Sequence, residues 1–302
     1  MKRINLAVLA LILANLIWGA SFPILKLSLE NIPPLSLAFI RFLIASIILY
    51  PIVHKNTAYS DLKNKWLWVY ALCGITVNIM FFFLALQRTT ALDSTIIASS
   101  GPVMVLVGSA VYLRERVKPA AVIGTIISLA GVLLIIIQPA LEKAPSSQVL
   151  GNLLMILATI GAVASTLAGR KFLTAANAIP MTFWSTVIAT FTFLPFLILD
   201  FNNNPLWFSQ LDHRGWIGIG YASILSTVVA YTAYDWALSK LSAYRTSVFT
   251  YIDPVASIVI AVPLLGEKIT IPFVTGSILV FLGILIAERR LNWHPLHKLL
   301  EK

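Results

Sequence analysis

The sequence predicts an all-α, polytopic membrane protein with ten transmembrane helices arranged as two inverted five-helix repeats. Three observations predict this fold class: the composition, ten apolar segments of membrane-spanning length, and a similarity between the two halves of the chain. Of the 302 residues, 59% are hydrophobic and only 11% are charged. A water-soluble domain carries about a quarter of its residues as Asp, Glu, Lys and Arg. Most of the surface of this chain is therefore expected to face lipid.

The ten apolar segments are each bounded by charges, prolines or polar clusters. About 20 apolar residues suffice for a helix to cross a bilayer, and a helix satisfies its own backbone hydrogen bonds in hydrocarbon. Strands of a membrane barrel would be about half as long and alternate in polarity. The short connections exclude a sizeable extramembrane domain. The predicted segments are 5–27, 34–53, 66–86, 91–113, 119–138, 149–172, 180–199, 215–238, 244–265 and 271–287.

The positive charges predict the orientation of the helices. With the N-terminus inside, sixteen of the 22 Lys and Arg residues lie on the cytoplasmic side and five on the outer side, while Arg41 lies within a segment. Because short loops follow the positive-inside rule, we expect a multi-pass protein of the cell inner (cytoplasmic) membrane with both termini cytoplasmic. The net charge of +10 follows from this topology. Nucleic-acid binding would need basic residues clustered on one folded face.

The two halves of the chain match each other at a shift of 152 positions. Because each half holds five spans, an odd number, the two copies must lie in opposite senses across the membrane. Inverted repeats are typical of secondary transporters, with the substrate site near the midplane. We predict one five-helix repeat over 1–145, and a second with a short cytoplasmic tail over 146–302. The matched residues are Ala85-Leu86 with Ala237-Leu238, Pro102-Val103 with Pro254-Val255, Glu115 with Glu267, Gly124 with Gly276, and Gly131 with Gly283.

These repeated residues, together with Trp18-Gly19 and Arg41-Phe42, resemble the drug/metabolite transporter superfamily. The pattern is similar to that of the ten-helix EamA-type exporters, and the resemblance covers residues 6–288. It implies an alternating-access carrier with a central cavity lined by helices 1, 3, 4, 6, 8 and 9, and with helices 5 and 10 at the periphery. Two departures are visible: Ala162-Val163 stands where Trp18-Gly19 would repeat, and Asp253 stands where the first copy has Gly101.

Two ionisable side chains, Asp253 and Arg41, are expected well inside the bilayer. Asp253 lies about nine residues, or roughly 14 Å, into its helix. Because a membrane carboxylate is costly, it is a functional candidate. Asp253 either binds a proton or a substrate amine, or is a protonated structural residue bonded to a neighbouring helix. Arg41 stays charged, and since the family commonly carries Arg here, a structural clamp is favoured over a binding role. Asp253 is a candidate ion-pair partner for Arg41, on the sole ground that the two are expected at similar depths in the membrane.

Polar and aromatic residues at helical spacing are candidates for lining the cavity. For each of them the alternative is ordinary packing, or anchoring at the membrane interface. Together they would form a cavity of mixed aromatic and small polar character, suited to a small amphiphilic metabolite such as an amino acid. The candidate substrate-binding residues are Asn15, Trp18, Asn78, Phe82, Ser99, Tyr231, Thr250 and Tyr251.

Pro102 and Pro254 are expected in mid-helix, where each would remove a backbone hydrogen bond and kink the chain. Their equivalent placement favours paired hinges over static packing. Glu115 and Glu267, at the membrane edges, are expected to form ion pairs or helix caps. Four glycines are expected to allow close helix approach, because the members of each pair lie two turns apart on one helix face. They are Gly124 with Gly131 and Gly276 with Gly283.

The sequence does not indicate an enzyme. It has no H-E-x-x-H or G-x-S-x-G motif, and its single cysteine, Cys73, lies in an apolar stretch, so no metal and no cofactor are expected. Asp235 and Asp253 faintly resemble the paired carboxylates of intramembrane aspartyl proteases. Their predicted depths of about 5 Å and 14 Å differ too much for a catalytic pair.

The expected function is secondary transport, with export of a small metabolite such as an amino acid by alternating access. Because the sequence has no nucleotide-binding motif, any energy for transport must come from a gradient. A proton is the candidate coupling ion if Asp253 titrates, and facilitated diffusion is the alternative. The sequence is also compatible with an importer of a nucleotide-derived metabolite, vitamin or sugar, and less so with a scaffold or lipid scramblase. The expected partners are a small-molecule substrate and membrane lipid, and nucleic acid is not expected to bind. The protein is expected to be a monomer or a homodimer.

Overall fold

The computed structural model describes residues 6–54, 62–113, 119–141, 145–174, 177–241 and 243–288. In these ranges every regular element is helical, which confirms the all-α prediction. Nine helical spans of the described chain are long and apolar enough to cross a membrane, and a shorter apolar helix follows them near the C-terminus. The ten predicted segments all correspond to these helices.

Eight of the ten helices run without a break in the chain trace. Their ends follow from sequence signals: Pro34 lies in the first turn of the second helix, and the Asp212 side chain accepts hydrogen bonds from the first backbone amides of the eighth. The helices are α1 (Leu6–Ser28), α2 (Pro34–Val53), α3 (Lys65–Leu86), α5 (Pro119–Leu141), α6 (Ser146–Phe172), α7 (Ala178–Asn203), α8 (His213–Lys240) and α10 (Ile271–Glu288).

The fourth and ninth helices, α4 and α9, are interrupted. Helix α4 consists of Ala91–Ala98 and Gly101–Leu113, joined by a two-residue turn. Helix α9 consists of Ala243–Ser247, a single 3₁₀ turn over Val248–Tyr251, and Ile252–Leu265. The two interruptions lie at equivalent positions of the two halves, so the duplication extends to the backbone irregularity as well as to the sequence.

The interruptions correct the expected placement of the two prolines. Pro102 is the second residue of its segment and Pro254 the third, so each lies in a first helical turn and not in mid-helix. A first-turn N–H has no intrahelical partner in any case, and proline is favoured there. The prolines therefore begin a helical segment after a break, and they do not remove a hydrogen bond from a continuous helix.

Helices α3 and α8 each contain a π-helical stretch, over Tyr70–Val77 and Tyr221–Val229. These stretches also occupy corresponding positions of the two halves. A π turn is wider than an α turn and leaves carbonyl groups available to side chains. In α8, the Thr227 hydroxyl donates to the Ala222 carbonyl at 2.7 Å, and the Trp18 indole N–H donates to the Ser226 carbonyl at 3.1 Å.

The two halves interlock. Helix α2 packs against α7, α3 against α6, α5 against α10, and α1 against both α8 and the second segment of α9. Each of these pairs joins one helix of the first half to one of the second. The space between the halves is therefore enclosed by helices of both, which is the arrangement that inverted repeats predict.

The α5–α10 contact confirms the packing role predicted for the glycines. A Cβ atom added at Gly283 would lie 2.4 Å from both the Gly124 carbonyl oxygen and the Ser128 backbone nitrogen. One added at Gly131 would lie 2.6 Å from the Gly276 carbonyl oxygen. Since the obstructing atoms are backbone atoms, only glycine allows the two helices to approach this closely.

Glu267 caps the first segment of α4, which confirms the predicted cap. Its Oε1 accepts a hydrogen bond from the Ala91 amide at 2.7 Å, and its Oε2 accepts one from the Leu92 amide at 3.0 Å. A carboxylate is stabilised at a helix N-terminus, where unpaired amides and the helix dipole both favour negative charge. The matching expectation for Glu115 lies outside the described residues.

Replacing Glu267 by Ala is expected to lower the free energy of unfolding by about 1–2 kcal/mol, because two amides at the helix start lose their acceptor. Thermal unfolding of the purified protein in detergent measures the effect. The neighbouring Lys268 is exposed, so Lys268→Ala serves as a matched control and should change stability little. Equal unfolding temperatures for the two variants would contradict the capping role.

Candidate functional site

A cavity of about 170 Å³ lies between the two halves. It is lined by residues of α1, α3, α4, α6, α8 and α9, the six helices that the resemblance implied, and also by Arg41 of α2. Its walls combine large aromatic side chains with small hydroxyl-bearing ones. A largely apolar cavity with a few convergent polar groups is the usual form of a small-molecule site.

Three aromatic rings form one wall of the cavity. The ring of Trp18 lies 5.3 Å from that of Tyr231 and 5.0 Å from that of Tyr234, measured between centroids. The polar ends of two of them are already engaged. The Trp18 indole N–H donates to the Ser226 carbonyl, and the Tyr234 hydroxyl is hydrogen bonded to that of Thr166 at 3.1 Å. These contacts fix the orientation of the rings and leave the ring surfaces for other contacts.

Asp253 brings a carboxylate to the same cavity. It is the second residue of the Ile252–Leu265 segment of α9 and is only 4% exposed. Among the described residues, its Oδ1 has no hydrogen-bond partner. Leaving a buried carboxylate oxygen unpaired is costly, so this atom is available for a proton or for a donor from a ligand.

Gly19 explains how α1 reaches Asp253. A Cβ atom at Gly19 would lie 2.6 Å from the Asp253 carbonyl oxygen and 2.7 Å from its Cα. Only glycine therefore allows the backbone of α1 to contact the start of this α9 segment. Because Trp18 directly precedes Gly19, the close approach places the indole in the same region of the cavity as the carboxylate.

Arg41 is held by hydroxyl groups and aromatic rings. Its Nε donates to Thr227 Oγ1 at 2.9 Å, and its Nη2 donates to Ser226 Oγ at 3.3 Å. The guanidinium carbon lies 5.0 Å from the ring centroid of Phe42 and 5.8 Å from that of Phe83. These contacts connect α2 to the π-helical stretch of α8 and solvate a side chain that is only 1% exposed.

Arg41 and Asp253 do not pair, although both line the cavity. The ion pairs in which both partners are described residues join Arg214 to Glu30 and to Asp212, at the first turn of α8. The suggestion that depth alone would make Arg41 and Asp253 partners is therefore wrong. The guanidinium of Arg41 is solvated by hydroxyls and rings, and the Asp253 carboxylate forms no ion pair with another described residue.

Five of the eight predicted substrate-binding residues line the cavity. Asn78 is also bonded across the helix interface, since its Nδ2 donates to the Ala158 carbonyl of α6 at 2.7 Å. Pro102 lines the cavity, whereas Pro254 is buried without lining it. The five residues are Trp18, Asn78, Phe82, Tyr231 and Thr250.

The expected cavity position is wrong for Asn15, Ser99 and Tyr251. Asn15 Nδ2 donates to the Leu11 carbonyl of its own helix at 2.7 Å. Ser99 Oγ likewise donates to the Thr95 carbonyl at 2.8 Å, in the turn between the two segments of α4. The Tyr251 ring packs edge-to-face against Phe281, with 6.3 Å between centroids. The Asn15 amide nitrogen and the Ser99 hydroxyl are thus bonded within their own helices, and the Tyr251 ring is packed against α10.

Several lining residues were missed by the sequence reasoning. Tyr70 and Tyr234 lie near predicted helix ends, away from the expected midplane site, and Ser21 and Ser226 are small residues in apolar runs. One signal was present: Ser21 matches Ser165 in the second half, and both line the cavity. Within the described part of the chain, no group of three or more His, Cys, Asp or Glu side chains could hold a metal ion.

Asp235 contrasts with Asp253. Its Oδ1 accepts a hydrogen bond from the Tyr70 hydroxyl at 2.5 Å, and its Oδ2 accepts one from the Thr182 hydroxyl at 2.6 Å. The side chain is fully buried. Asp235 therefore joins α8 to α3 and α7, and both of its oxygens are occupied. Asp235 therefore has a structural role, whereas the Asp253 Oδ1 atom accepts no hydrogen bond from a described residue.

Replacing Asp235 by Ala is expected to lower the free energy of unfolding by about 1–3 kcal/mol, because the buried Tyr70 hydroxyl loses its acceptor, whereas the Thr182 hydroxyl can still donate to the Ala178 carbonyl. Asp200→Ala is the matched control, since Asp200 accepts a single hydrogen bond, from Ser36 at 2.6 Å, in a partly exposed position. Unfolding monitored by intrinsic fluorescence in detergent compares the two. Equal losses would contradict the structural role of Asp235.

Comparison with known proteins gives one family and several relatives. The model of the EamA-like transporter family matches residues 5–137 and again residues 149–288. Two uncharacterized transporters of Archaeoglobus fulgidus are 31% and 30% identical to the chain, over 93% and 90% of its length and 97% and 95% of theirs. A protein of Escherichia coli named a probable amino-acid metabolite efflux pump is 24% identical, with 95% of each chain covered.

A solved crystal structure shares the fold. It aligns with a TM-score of 0.66 at 21% sequence identity, and the alignment covers 93% of this chain and 96% of the other. At this identity the likeness concerns the fold alone.

Proposed function

The chain belongs to the EamA-like transporter family, and from that premise we propose that it exports a small metabolite, such as an amino acid, by alternating access. It is a multi-pass membrane transporter. Export of an amino-acid-like solute is supported by the mixed aromatic and polar lining of the cavity. It is also supported by the similarity to the Escherichia coli protein named a probable amino-acid metabolite efflux pump.

The observation that carries the proposal is a cavity between the two halves that contains a carboxylate with a free acceptor. A carrier needs a site that both sides of the membrane can reach in turn, and inverted repeats place such a site at their interface. Asp253 Oδ1, buried and without a hydrogen-bond partner in the described part of the chain, supplies a binding group at that interface. A purely structural membrane bundle gains nothing from an unpaired buried carboxylate.

Alternating access also requires points at which the helices can bend. We place the paired hinges at Pro102 and Pro254, just after the interruptions of α4 and α9. A break in a helix leaves fewer backbone hydrogen bonds to lose when the two segments change angle. Because the breaks are equivalent in the two halves, one is positioned to move when the cavity opens inward, and the other when it opens outward. The two repeats, 1–145 and 146–302, are the proposed moving units.

The energy source is proposed to be a gradient acting through Asp253. A buried carboxylate can take up a proton from one side of the membrane and release it to the other, or hold a substrate cation in its place. Facilitated diffusion without a coupled ion is the alternative. The proposed location is the inner membrane with both termini in the cytoplasm, on the basis of the excess of Lys and Arg at the helix ends assigned to that side.

Binding to the cavity can be tested by a thermal-shift screen over amino acids, amines, sugars and nucleotide-derived metabolites. A bound solute raises the apparent stability by about 2.7 kcal/mol at 100 times its Kd. We expect an amino acid or amine to stabilise the protein. Ala162→Trp, which fills the cavity, should abolish the shift. Val259→Trp, at a position exposed on the outer surface of α9, should retain it. No stabilising solute, or an equal shift in both variants, would contradict the proposed site.

A further inference from the structure

We propose, on the basis of the transport function above, that the substrate is a monocationic ammonium compound. In the proposed complex its charged nitrogen lies between the Asp253 carboxylate and the ring surfaces of Trp18, Tyr231 and Tyr234, all of which line the cavity. The substrate needs no carboxylate group for recognition. The proposal thus names the class of solute that the cavity selects: a primary amine attached to an apolar or aromatic body, of which an amino acid is one example and a simple amine is another.

The cavity holds one carboxyl group, that of Asp253, which forms no ion pair with any described residue. Asp253 Oδ1 accepts no hydrogen bond from any described residue. Arg41, which also lines the cavity, donates instead to the hydroxyls of Thr227 and Ser226. An ammonium group has three N–H donors and a positive charge. It would supply what the carboxylate lacks.

Three aromatic side chains line the same cavity as the Asp253 carboxylate. The indole N–H of Trp18 is already bonded to the Ser226 carbonyl, and the hydroxyl of Tyr234 to Thr166. What these side chains still offer is their ring faces. Clustered aromatic rings attract ammonium cations through the negative potential of those faces. A carboxylate and several ring faces in one cavity are the recognised chemistry of an ammonium site.

A backbone contact fixes the position of α1 relative to Asp253. The backbone of α1 touches Asp253 at Gly19, where a Cβ atom would lie 2.6 Å from the Asp253 carbonyl oxygen. Trp18 directly precedes Gly19 on α1. The position of the ring is thereby coupled to that of the carboxylate through a backbone contact, so the two are held in a defined relation.

The number of carboxylates that line the cavity sets the charge of the substrate. The position equivalent to Asp253 in the first half is Gly101, which lines the cavity without a side chain. The cavity therefore offers one carboxylate, enough for one ammonium group. The guanidinium of Arg41, bonded to two hydroxyls and covered by the rings of Phe42 and Phe83, is already solvated. These contacts solvate the guanidinium without a substrate carboxylate.

The test measures binding of three matched probes to the full-length protein in lipid nanodiscs by calorimetry. Phenethylamine has the amine alone, 3-phenylpropionate has the carboxylate alone, and phenylalanine has both. An aliphatic set of butylamine, pentanoate and norvaline repeats the comparison with a different body. In at least one set, the amine and the amino acid should bind, and the carboxylate should bind at least tenfold more weakly.

Variants locate the interaction. Asp253→Asn should weaken binding of the amine at least tenfold, and Trp18→Leu about threefold to tenfold, while Asp200→Asn, remote from the cavity, should leave it unchanged. The unfolding temperature of each variant shows that it is folded. If Asp253→Asn is not folded, Asp253→Glu replaces it and should retain selectivity for the amine over the carboxylate.

Two results would overturn the proposal. One is binding of the amino acid without binding of the matched amine, which would mean that a carboxylate is required. The other is unchanged amine binding in Asp253→Asn. If none of the probes binds while another solute from the metabolite screen does, the ammonium class is wrong and the transport function stands. If the screen also gives no ligand, the proposed function itself fails.

Discussion

Asp253→Asn is expected to reduce transport at least tenfold while leaving the protein as stable as the wild type, or more so. The amide has nearly the shape of the carboxylate, so packing is preserved. It carries no charge, however, and can neither exchange a proton nor attract a cation. Because the wild-type carboxylate is buried with an unpaired oxygen, removing its charge also removes a desolvation cost. Loss of function without loss of stability is the signature of a functional group.

Flux through proteoliposomes and thermal unfolding in detergent measure the two effects together. Asp200→Asn is the control, since Asp200 lies at the end of α7, away from the cavity. Undiminished flux in Asp253→Asn, with the same dependence on pH as the wild type, would assign Asp253 the role of a protonated structural residue. A large fall in stability would point the same way.

Gly283→Ala is expected to lower the free energy of unfolding by about 2–3 kcal/mol. The added methyl group would lie 2.4 Å from the Gly124 carbonyl oxygen and from the Ser128 nitrogen. Both are backbone atoms of α5, so the whole helix has to move to relieve the clash, and overpacking of this kind typically costs about 1–3 kcal/mol. Since α5 and α10 lie away from the cavity, affinity for a bound solute should not change.

Gly220→Ala provides the matched comparison. No described atom lies within 4 Å of the position of its added Cβ, and alanine is the better helix former by about 1 kcal/mol. This variant should be as stable as the wild type or slightly more stable. Equilibrium unfolding with a denaturing detergent distinguishes the two variants. If both lose the same stability, the glycines of α10 do not set the distance to α5.

The positions of the helices could be predicted because membrane insertion depends on composition over about 20 residues at a time. Segments such as 34–53 are apolar throughout and end at charges or prolines, so their limits are visible in the sequence. The packing of Gly283 against α5 was also predictable, because two glycines on one face have few other uses in a membrane helix. For Glu267 the sequence predicted either an ion pair or a helix cap, and the hydrogen bonds in the structure identify it as a cap.

The direction in which individual side chains point was harder to predict, because the reasoning assumed regular helices. Ser99 lies in the turn between the two segments of α4, and Tyr251 ends the 3₁₀ turn of α9. A break or a change of helix type rotates everything beyond it relative to a continuous helix. Spacing of three or four residues therefore did not identify the cavity face at these points. Asn15 is in a regular helix, but its amide bonds to the carbonyl one turn earlier.

The relation between Arg41 and Asp253 shows a second limit. Their depths could be estimated from helical rise, whereas their distance depends on the packing of α2 and α9 around the bundle. Hydroxyl groups of α8, made accessible where that helix takes up π geometry, satisfy Arg41 instead. Nothing in the sequence of α8 identified the π turn. The free carboxylate, which is the main feature of the site, could thus be recognised only in the folded chain.

The measurement that tests the central claim most directly is efflux from proteoliposomes loaded with a mixture of amino acids, amines, sugars and nucleotide-derived metabolites. The wild-type protein is expected to release at least one amine or amino acid faster than protein-free vesicles do, and faster than vesicles containing Asp253→Asn. If no solute of the mixture leaves the wild-type vesicles faster than the protein-free ones, although the protein is folded and inserted, the transport function assigned to this cavity is contradicted.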